Sequence, residues 1–578
     1  MSLSDRLADA AADSSDRPIG ERLHALFDTL WDYRLETQPE FATYLGEPGP
    51  VHRWSDMSRD AFEQRKRDAE ISLDALAGID PSGLDDVDRT SLRLATYEHE
   101  QAVRLGRFPH ELLAVTTMFG PQVDIPMVLS LMAPRTIGDV ENLVARLHGV
   151  PVFVDQVIGL LDDGRDEGVT IPRVVAEQLP PAAASLGDAG DVASSGFLVA
   201  LGDRPDGIAA DDWEELVADA RAAVTDAAAP AFRRFAAYLE STYAPACRET
   251  TAMADLPDGA EWYAELVRQQ TTTDLSPEEI HAIGVDEVAR IRKQMDEVIA
   301  ASGHVGDFAS FAEFLRTDDR FYFDDPHELL AAYRDMAKRA DAELPRLFGL
   351  LPRLTYGIRE VPDHEAPTAP MAYYLPGSLE SARPGWFYAN TYDLRARPRY
   401  EMEATCLHEA VPGHHLQIAL AAELEGLPKF RSKSLEYNAF AEGWGLYAES
   451  LGDDMGFYRD PYSKFGQLSS ELWRAIRLVV DTGMHALGWE RQRAIDYCLE
   501  NSTAAMHDVQ TEIDRYLSIP AQALSYKVGE LTIRRLRHEA TAAAGAAFDL
   551  RAFHDLVIGA GGLPLEVLEE RVRAWAAS

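Results

Sequence analysis

The sequence predicts a mainly α protein, a large helical fold with a small β-hairpin or sheet set beside one histidine-bearing helix. Three observations predict it: apolar residues recur at three- and four-residue spacing over most of the chain, one long helix opens on a complete start signal, and only one stretch, 371–394, has the Tyr-, Phe- and Thr-rich character of strands. At 578 residues the chain can bury a large core. No internal repeat is evident.

Taken in order, 19–46 carries Leu23, Leu26, Phe27, Leu30 and Trp31 on one helical face. Amphipathic runs follow at 139–164, 212–243 and 276–303. The last begins Ser-Pro-Glu-Glu, with Ser276 as N-cap, Pro277 at the first helical position and Glu279 completing a capping box. Between these runs, 179–212 is rich in Pro, Gly, Asp and Ala and reads as a long surface loop. A second break, "MADLPDGAEW", divides the chain into an N-terminal helical half, 1–255, and a C-terminal helical half, 256–578, which carries the chemistry, and the two are expected to form one continuous bilobal unit. In 371–394 the turns "LPGS" and "RPG" separate two strand-like runs, a hairpin. A strand leading into a functional helix can pair its free edge with an extended peptide, which puts Asn390, Thr391 and Tyr392 where a substrate runs.

Charge narrows the function. A net charge of −41 disfavours nucleic acid, which needs a positive footprint. Adaptation to high salt and the Asp-, Ala- and Arg-rich style of a high-GC proteome would produce the same composition. The first residues lack a basic, then apolar, leader, and no stretch approaches the roughly 20 apolar residues of a membrane span. Three scattered cysteines, Cys247, Cys406 and Cys498, make no disulfide framework. The expectation is a cytoplasmic protein without membrane or nucleic-acid partners.

The stretch "LHEAVPGHHLQ", 407–417, holds the chemistry. In H-E-x-x-H the two histidines are four apart on a helix and share one zinc. His408 and His414 are six apart, which on an unbroken helix separates them by about 120° and 9 Å; His408 and His415 share a face but lie about 10.5 Å apart. Neither pair can hold one ion at about 2.0–2.1 Å. Pro412 supplies a remedy, because it has no N–H to give to the His408 carbonyl and its ring clashes with that carbonyl. Gly413 lets the chain bulge and return to helix near His414. "HEAVPGH" therefore reads as a zinc motif with a two-residue loop inserted in its helix. Glu409 follows the first histidine, where a carboxylate can act as general base on a metal-activated water. A third ligand must come from "SLEYNAFAEGWGLYAESLG", with Glu436, Glu442 and Glu449 as candidates. Glu442 is chosen because Ala441, Gly443 and Gly445 allow close packing around it. Glu449, one heptad on, suits the orientation of a histidine through its far nitrogen.

With "AEGWGLYAES" after "HEAVPGHHLQ", and with "RPGWFYANT", "RLVVDTGMHALGW" and "IPAQALSYKVGELTI", the sequence resembles the bacterial and archaeal family catalogued as domain of unknown function 885, whose members resemble gluzincin metallopeptidases. The resemblance spans nearly the whole chain. It implies a zincin-like helical fold, one Zn²⁺ per chain and probable peptide hydrolysis. It also implies that Gly413–His414 is the fixed pair, making His408, His414 and Glu442 the ligands and leaving His415 and Glu449 as orienting or alternative ligands. The C-terminal blocks offer His485 and Tyr526 as oxyanion donors. Lys527, Arg535 and Arg383 are candidate anchors for a substrate carboxylate, beside Asn390.

The leading expectation is a zinc-dependent metallopeptidase that hydrolyses short peptides through a metal-activated water, with Glu409 as base. A metal-dependent hydrolase of a non-peptide amide or ester would use the same machinery. A metal-stabilised binding protein without turnover would have no need of Glu409. Nothing in the sequence bears on the oligomeric state.

Overall fold

The helices Ile19–Thr37, Ile137–Glu167 and Pro277–Ala301 and the hairpin grow from the patterns above, while the strand Tyr356–Glu360 and the helix Leu179–Gly187 are among the elements that those patterns do not announce. The computed structural model describes all residues except 13–16, 189–195, 363–365, 367–368, 380–381, 434–436 and 578. Its described residues are mainly helical, with a single three-stranded sheet. They form two units. One comprises Met1–Trp262, Pro428–Phe430 and Asp514–Ile519; the other comprises Tyr263–Leu427, Arg431–Ile513 and Pro520–Ser578.

In the first unit, helix α1 (Ile19–Thr37) buries Leu23, Leu26, Phe27 and Trp31, the face its spacing marks out. Helix α2 (Ile137–Glu167) is long and apolar enough to cross a bilayer, by length and composition alone. That corrects the expectation that no stretch approaches such a length. Its Val140, Leu143, Leu147, Val150, Val154, Val157, Leu160 and Leu161 are buried inside the unit, the position of a core helix. The stretch 179–212 is not one long loop either. Leu179–Gly187 and the residues from Ala210 onward are helical. Pro180 and Pro181 fall in the first turn of the former, where a missing N–H costs nothing, and the alanines after them favour helix.

In the second unit, α3 (Pro277–Ala301) forms the capping box read from sequence. The Ser276 hydroxyl accepts from the Glu279 amide at 3.2 Å, and the Glu279 carboxylate accepts from the Ser276 amide at 2.8 Å. Helix α4 (Pro326–Leu347) covers the sheet through Tyr333 and Leu330. The sheet is ordered β1-β3-β2, with β1 Tyr356–Glu360, β2 Ala372–Leu375 and β3 Gly385–Ala389. The expected hairpin is β2 with β3, antiparallel, in register Ala372↔Ala389 to Leu375↔Trp386. Strand β1 pairs parallel to β3, Tyr356↔Gly385 to Glu360↔Ala389. Phe387 and Ala389 of the central strand are fully buried against α4 and against Met402, Cys406 and Ala410, and thereby seat the histidine-bearing segment on the sheet.

Five helices complete the surroundings of the site: α5 (Met402–Glu409), α6 (His414–Ala422), α7 (Asn438–Ser450), α8 (Pro461–His485) and α9 (Ser525–Ala544). Helices α7 and α9 meet backbone to backbone. A Cβ on Gly443 would lie 2.5 Å from the Gly529 Cα, and one on Gly529 would lie 1.9 Å from the Ala439 carbonyl oxygen.

Candidate metal centre

The histidine motif is two helices, not one helix with a bulge. Helix α5 stops at Glu409, Ala410–Gly413 form a turn containing a cis Val411–Pro412 bond, and α6 starts at His414. The reason for Gly413 is close approach: a Cβ there would stand 1.9 Å from the His408 carbonyl oxygen and 2.4 Å from that of Leu407. Trp444 of α7 fixes the turn by donating from its indole N–H to the Pro412 carbonyl at 2.8 Å. The restart removes the extra rise. The His408 and His414 rings stand 4.7 Å apart, centroid to centroid, at 88°.

Glu442 completes the group. Its Oε2 lies 3.6 Å from His408 Nε2 and 3.5 Å from His414 Nε2, and the three ligand atoms are all within 4.8 Å of one another. These separations exceed the 2.7–3.2 Å of an ordinary N–H···O bond. Bonds of about 2.1 Å arranged tetrahedrally around one ion would set neighbouring ligand atoms about 3.4 Å apart. Two neutral imidazoles and a carboxylate at that spacing fit Zn²⁺ or a related divalent ion.

The neighbours of His408 fix its ring. Its Nδ1 lies 2.9 Å from Glu449 Oε1 and donates to that buried carboxylate, which turns Nε2 toward Glu442. Gly445 gives the ring room, since a Cβ there would be 2.7 Å from His408 Cε1. Without an ion, burial disfavours a charged His408, but Glu442 and Glu449 outweigh it and raise the group to about 10. Burial likewise opposes ionising Glu442, yet the two imidazoles hold it well below the usual carboxylate range. The three groups could hold a cation, which would displace the His408 proton. Glu409 is half-buried beside the group and makes no side-chain hydrogen bond among the described residues. Glu436 lies outside the described residues.

The remaining candidates separate. His415 is turned away from the cluster: its Nδ1 is 2.8 Å from the Tyr374 hydroxyl, its ring is 4.4 Å from that of Tyr356, and burial lowers it to about 4. It couples α6 to the sheet and is no ligand. Asn390 is buried with its amide donating to the carbonyls of Ala366, Ala369 and Pro370, so it shapes a turn and does not meet a substrate. Lys527 is fully buried, 2.8 Å from Glu471, 2.9 Å from Glu530 and 3.0 Å from Glu287, and cannot anchor a ligand. Arg535 is engaged by Glu539 and Glu569. Arg383 is exposed and bonds the Pro376 carbonyl at 3.2 Å, within its own hairpin turn. His485 is buried against Tyr263, ring centroids 5.2 Å apart, which removes it as an oxyanion donor.

Tyr526 alone among the C-terminal candidates is half-buried. Its ring lies 4.6 Å from the Arg477 guanidinium and 5.9 Å from that of Arg474. Arg474 in turn is 3.8 Å from Glu449. Sequence reasoning missed both arginines. The signal was present, since Arg474 and Arg477 are three apart within the otherwise apolar run of α8.

The profile of the family described as "Bacterial protein of unknown function (DUF885)" matches residues 39–572. No curated protein matches the chain. Among solved structures, a "putative lipoprotein" from Colwellia psychrerythraea is similar at 27% identity and a TM-score of 0.90, over 96% of this chain and 99% of that one. A "putative lipoprotein of unknown function" from Shewanella oneidensis is similar in fold, at 14% identity and a TM-score of 0.74, over 95% of this chain and 99% of that one.

Proposed function

The chain belongs to the DUF885 family, whose description names no activity, and from the site itself we propose that it is a zinc-dependent metallopeptidase acting on short peptides. The observation that carries the reading is the pair of 3.5 and 3.6 Å separations between one Glu442 oxygen and two imidazole nitrogens. They are too long for hydrogen bonds and fit the edges of a tetrahedron around an ion. His408, His414 and Glu442 would hold one Zn²⁺ per chain and leave a fourth position open. Bound there, zinc supplies a water of lowered pKa and a Lewis acid for a carbonyl.

The other residues act around it. Glu409, whose carboxylate has no other engagement among the described residues, takes the proton of the attacking water and passes it to the leaving nitrogen. Glu449 holds the His408 ring. Tyr526 offers a hydroxyl to the developing oxyanion. Among the described residues strand β2 pairs on one side only, and its free edge can take up an extended peptide beside α5. Hydrolysis of a non-peptide amide or ester would use the same groups. A purely binding role accounts poorly for Glu409.

The test is metal content and peptide cleavage together. Near one zinc per chain is expected for the wild type and for Glu409→Gln, with loss in His408→Ala, His414→Ala and Glu442→Ala and retention in His415→Ala. Cleavage of a peptide library should be lost in Glu409→Gln by at least a hundredfold. A wild-type protein that takes up no zinc defeats the reading.

A further inference from the structure

The second unit holds a polar cavity of about 820 Å³ that none of the metal-centre residues lines. Helices α3, α8 and α9 wall it, with the end of α7 and the residues just after it. Its size is that of a small-molecule site. Along it α3 and α8 run antiparallel, since a Cβ on Gly284 would lie 2.7 Å from the Leu478 Cβ and, further along, Arg290 pairs with Glu471. Seven residues on from Arg290 in α3 is Glu297, and seven back from Glu471 in α8 is Lys464, which sets Glu297 and Lys464 at one level of the cavity. Between that level and the Glu471 level lie about 10.5 Å.

The two levels carry opposite unmatched charge. At the Glu471 level, Arg534 stands 3.6 Å from Glu471 and 2.9 Å from Glu530, both through Nη1, so its Nε and Nη2 are unengaged among the described residues. Its side chain is 44% exposed, while those of Glu471 and Glu530 are 5% and 1% exposed. The carboxylates lie beneath, and the guanidinium lines the cavity. Arg290 does not compete for this role, because Glu287, Gln294 and Glu471 take up all three of its nitrogens. At the other level, Glu297 is exposed and has no ion pair or hydrogen bond among the described residues. The remaining charges cancel in pairs, Lys464 with Asp453 at 2.7 Å and Arg537 with Asp454 at 3.1 Å.

We infer that this cavity is a second binding site, for a zwitterionic peptide of about three residues held by its carboxylate on Arg534 and by its ammonium on Glu297. The Nε and Nη2 edge of a guanidinium presents two parallel N–H groups to the two oxygens of a carboxylate. Glu297 accepts from the ammonium at the opposite end. An extended chain of three residues at roughly 3.3 Å each spans about 10 Å, the separation of the two levels. A ligand with one charge would satisfy one end and leave the other as it is. The site goes beyond the proposed peptidase activity and does not depend on it. One helix nonetheless serves both places, since Tyr447 and Ser450 of α7 line the cavity while Glu442 and Glu449 of α7 reach the two histidines.

The test is calorimetry on chelator-treated, zinc-free full-length protein with trialanine, N-acetyl-trialanine and trialanine amide. Trialanine should bind at least tenfold more tightly than either blocked form. Glu297→Gln should bring trialanine to within twofold of the N-acetyl form, and Arg534→Gln should bring it to within twofold of the amide. Glu297 is exposed and unpaired, so its variant tests the site even if Arg534→Gln disturbs the ion-pair cluster beneath. His408→Ala should keep both preferences, which separates this cavity from the metal centre. Equal affinity for the three peptides, no binding of trialanine, a preference for the free ammonium that survives Glu297→Gln, or loss of binding in His408→Ala overturns the site. Failure of the peptidase reading would show instead as absent zinc uptake or absent cleavage, and would leave these affinities unchanged.

Discussion

Gly445 contributes no atom to the cluster, yet the His408 ring occupies the space its side chain would fill. Alanine there would put a Cβ 2.7 Å from the ring and push Nε2 off the line to Glu442. Gly445→Ala should weaken zinc binding at least tenfold, read by competition with a chromophoric chelator, and should leave the far-ultraviolet circular dichroism unchanged. Glu449 acts on the same ring from behind. Asp481 gives the residue scale its pH dependence. Buried on α8, it accepts from the Tyr263 hydroxyl at 2.5 Å and the Ala521 amide at 3.1 Å, and burial lifts it to about 7 against those bonds. Its unfolded value is about 3.9. Between the two the folded chain holds a proton that the unfolded chain has released, so this group makes stability fall as pH rises from about 4 to 7, by up to ~4 kcal/mol. Denaturant unfolding across that window should show a flatter decline in Asp481→Asn; an unchanged slope would refute the assignment.

At the scale of elements the turn 410–413 decides whether the histidines meet. Gly413→Ala would drive a Cβ into the His408 carbonyl and force α5 and α6 apart. On the proposed function, the variant should fail to take up the zinc expected of the wild type while keeping its helices, measured by metal analysis beside circular dichroism. The sequence makes this break legible because Pro412 and Gly413 forbid an unbroken helix through the motif. What replaces it, a stop and a restart pinned by Trp444, depends on a partner more than thirty residues away and leaves no local trace. The capping box at Ser276 is legible for the opposite reason, since all its partners lie within four residues. Strand β1 escaped notice because five residues pairing parallel across a long connection show neither alternation nor a turn signal. The helix at Leu179–Gly187 was misread because prolines that start a helix look like prolines that break one.

Over the whole molecule, helical character followed from periodicity repeated along hundreds of residues, a signal that survives local errors. Ligand-type residues were legible where several chemical constraints coincided at one spacing. Single residues such as Asn390, Lys527 and His485 were not, because a buried polar side chain with internal partners looks the same in sequence as one facing a substrate. Lys527 is the clearest case. Glu471, Glu530 and Glu287 surround it, and Arg290 and Arg534 share those carboxylates, so the cluster is a network joining α3, α8 and α9. Its three carboxylates need their cation. Lys527→Met should destabilise the second unit by about 3–5 kcal/mol, read as a shift in the denaturant midpoint.

The glycine contact between α7 and α9 has a mechanical consequence. Where Gly443 meets Gly529 no side chain lies between the two main chains. The depth of Glu442, one residue before Gly443, is therefore set by two rigid rods in direct abutment, with no rotamer able to take up slack. The carboxylate inherits the tolerance of the scaffold, much as a bearing seated on bare metal keeps its clearance better than one seated on a gasket.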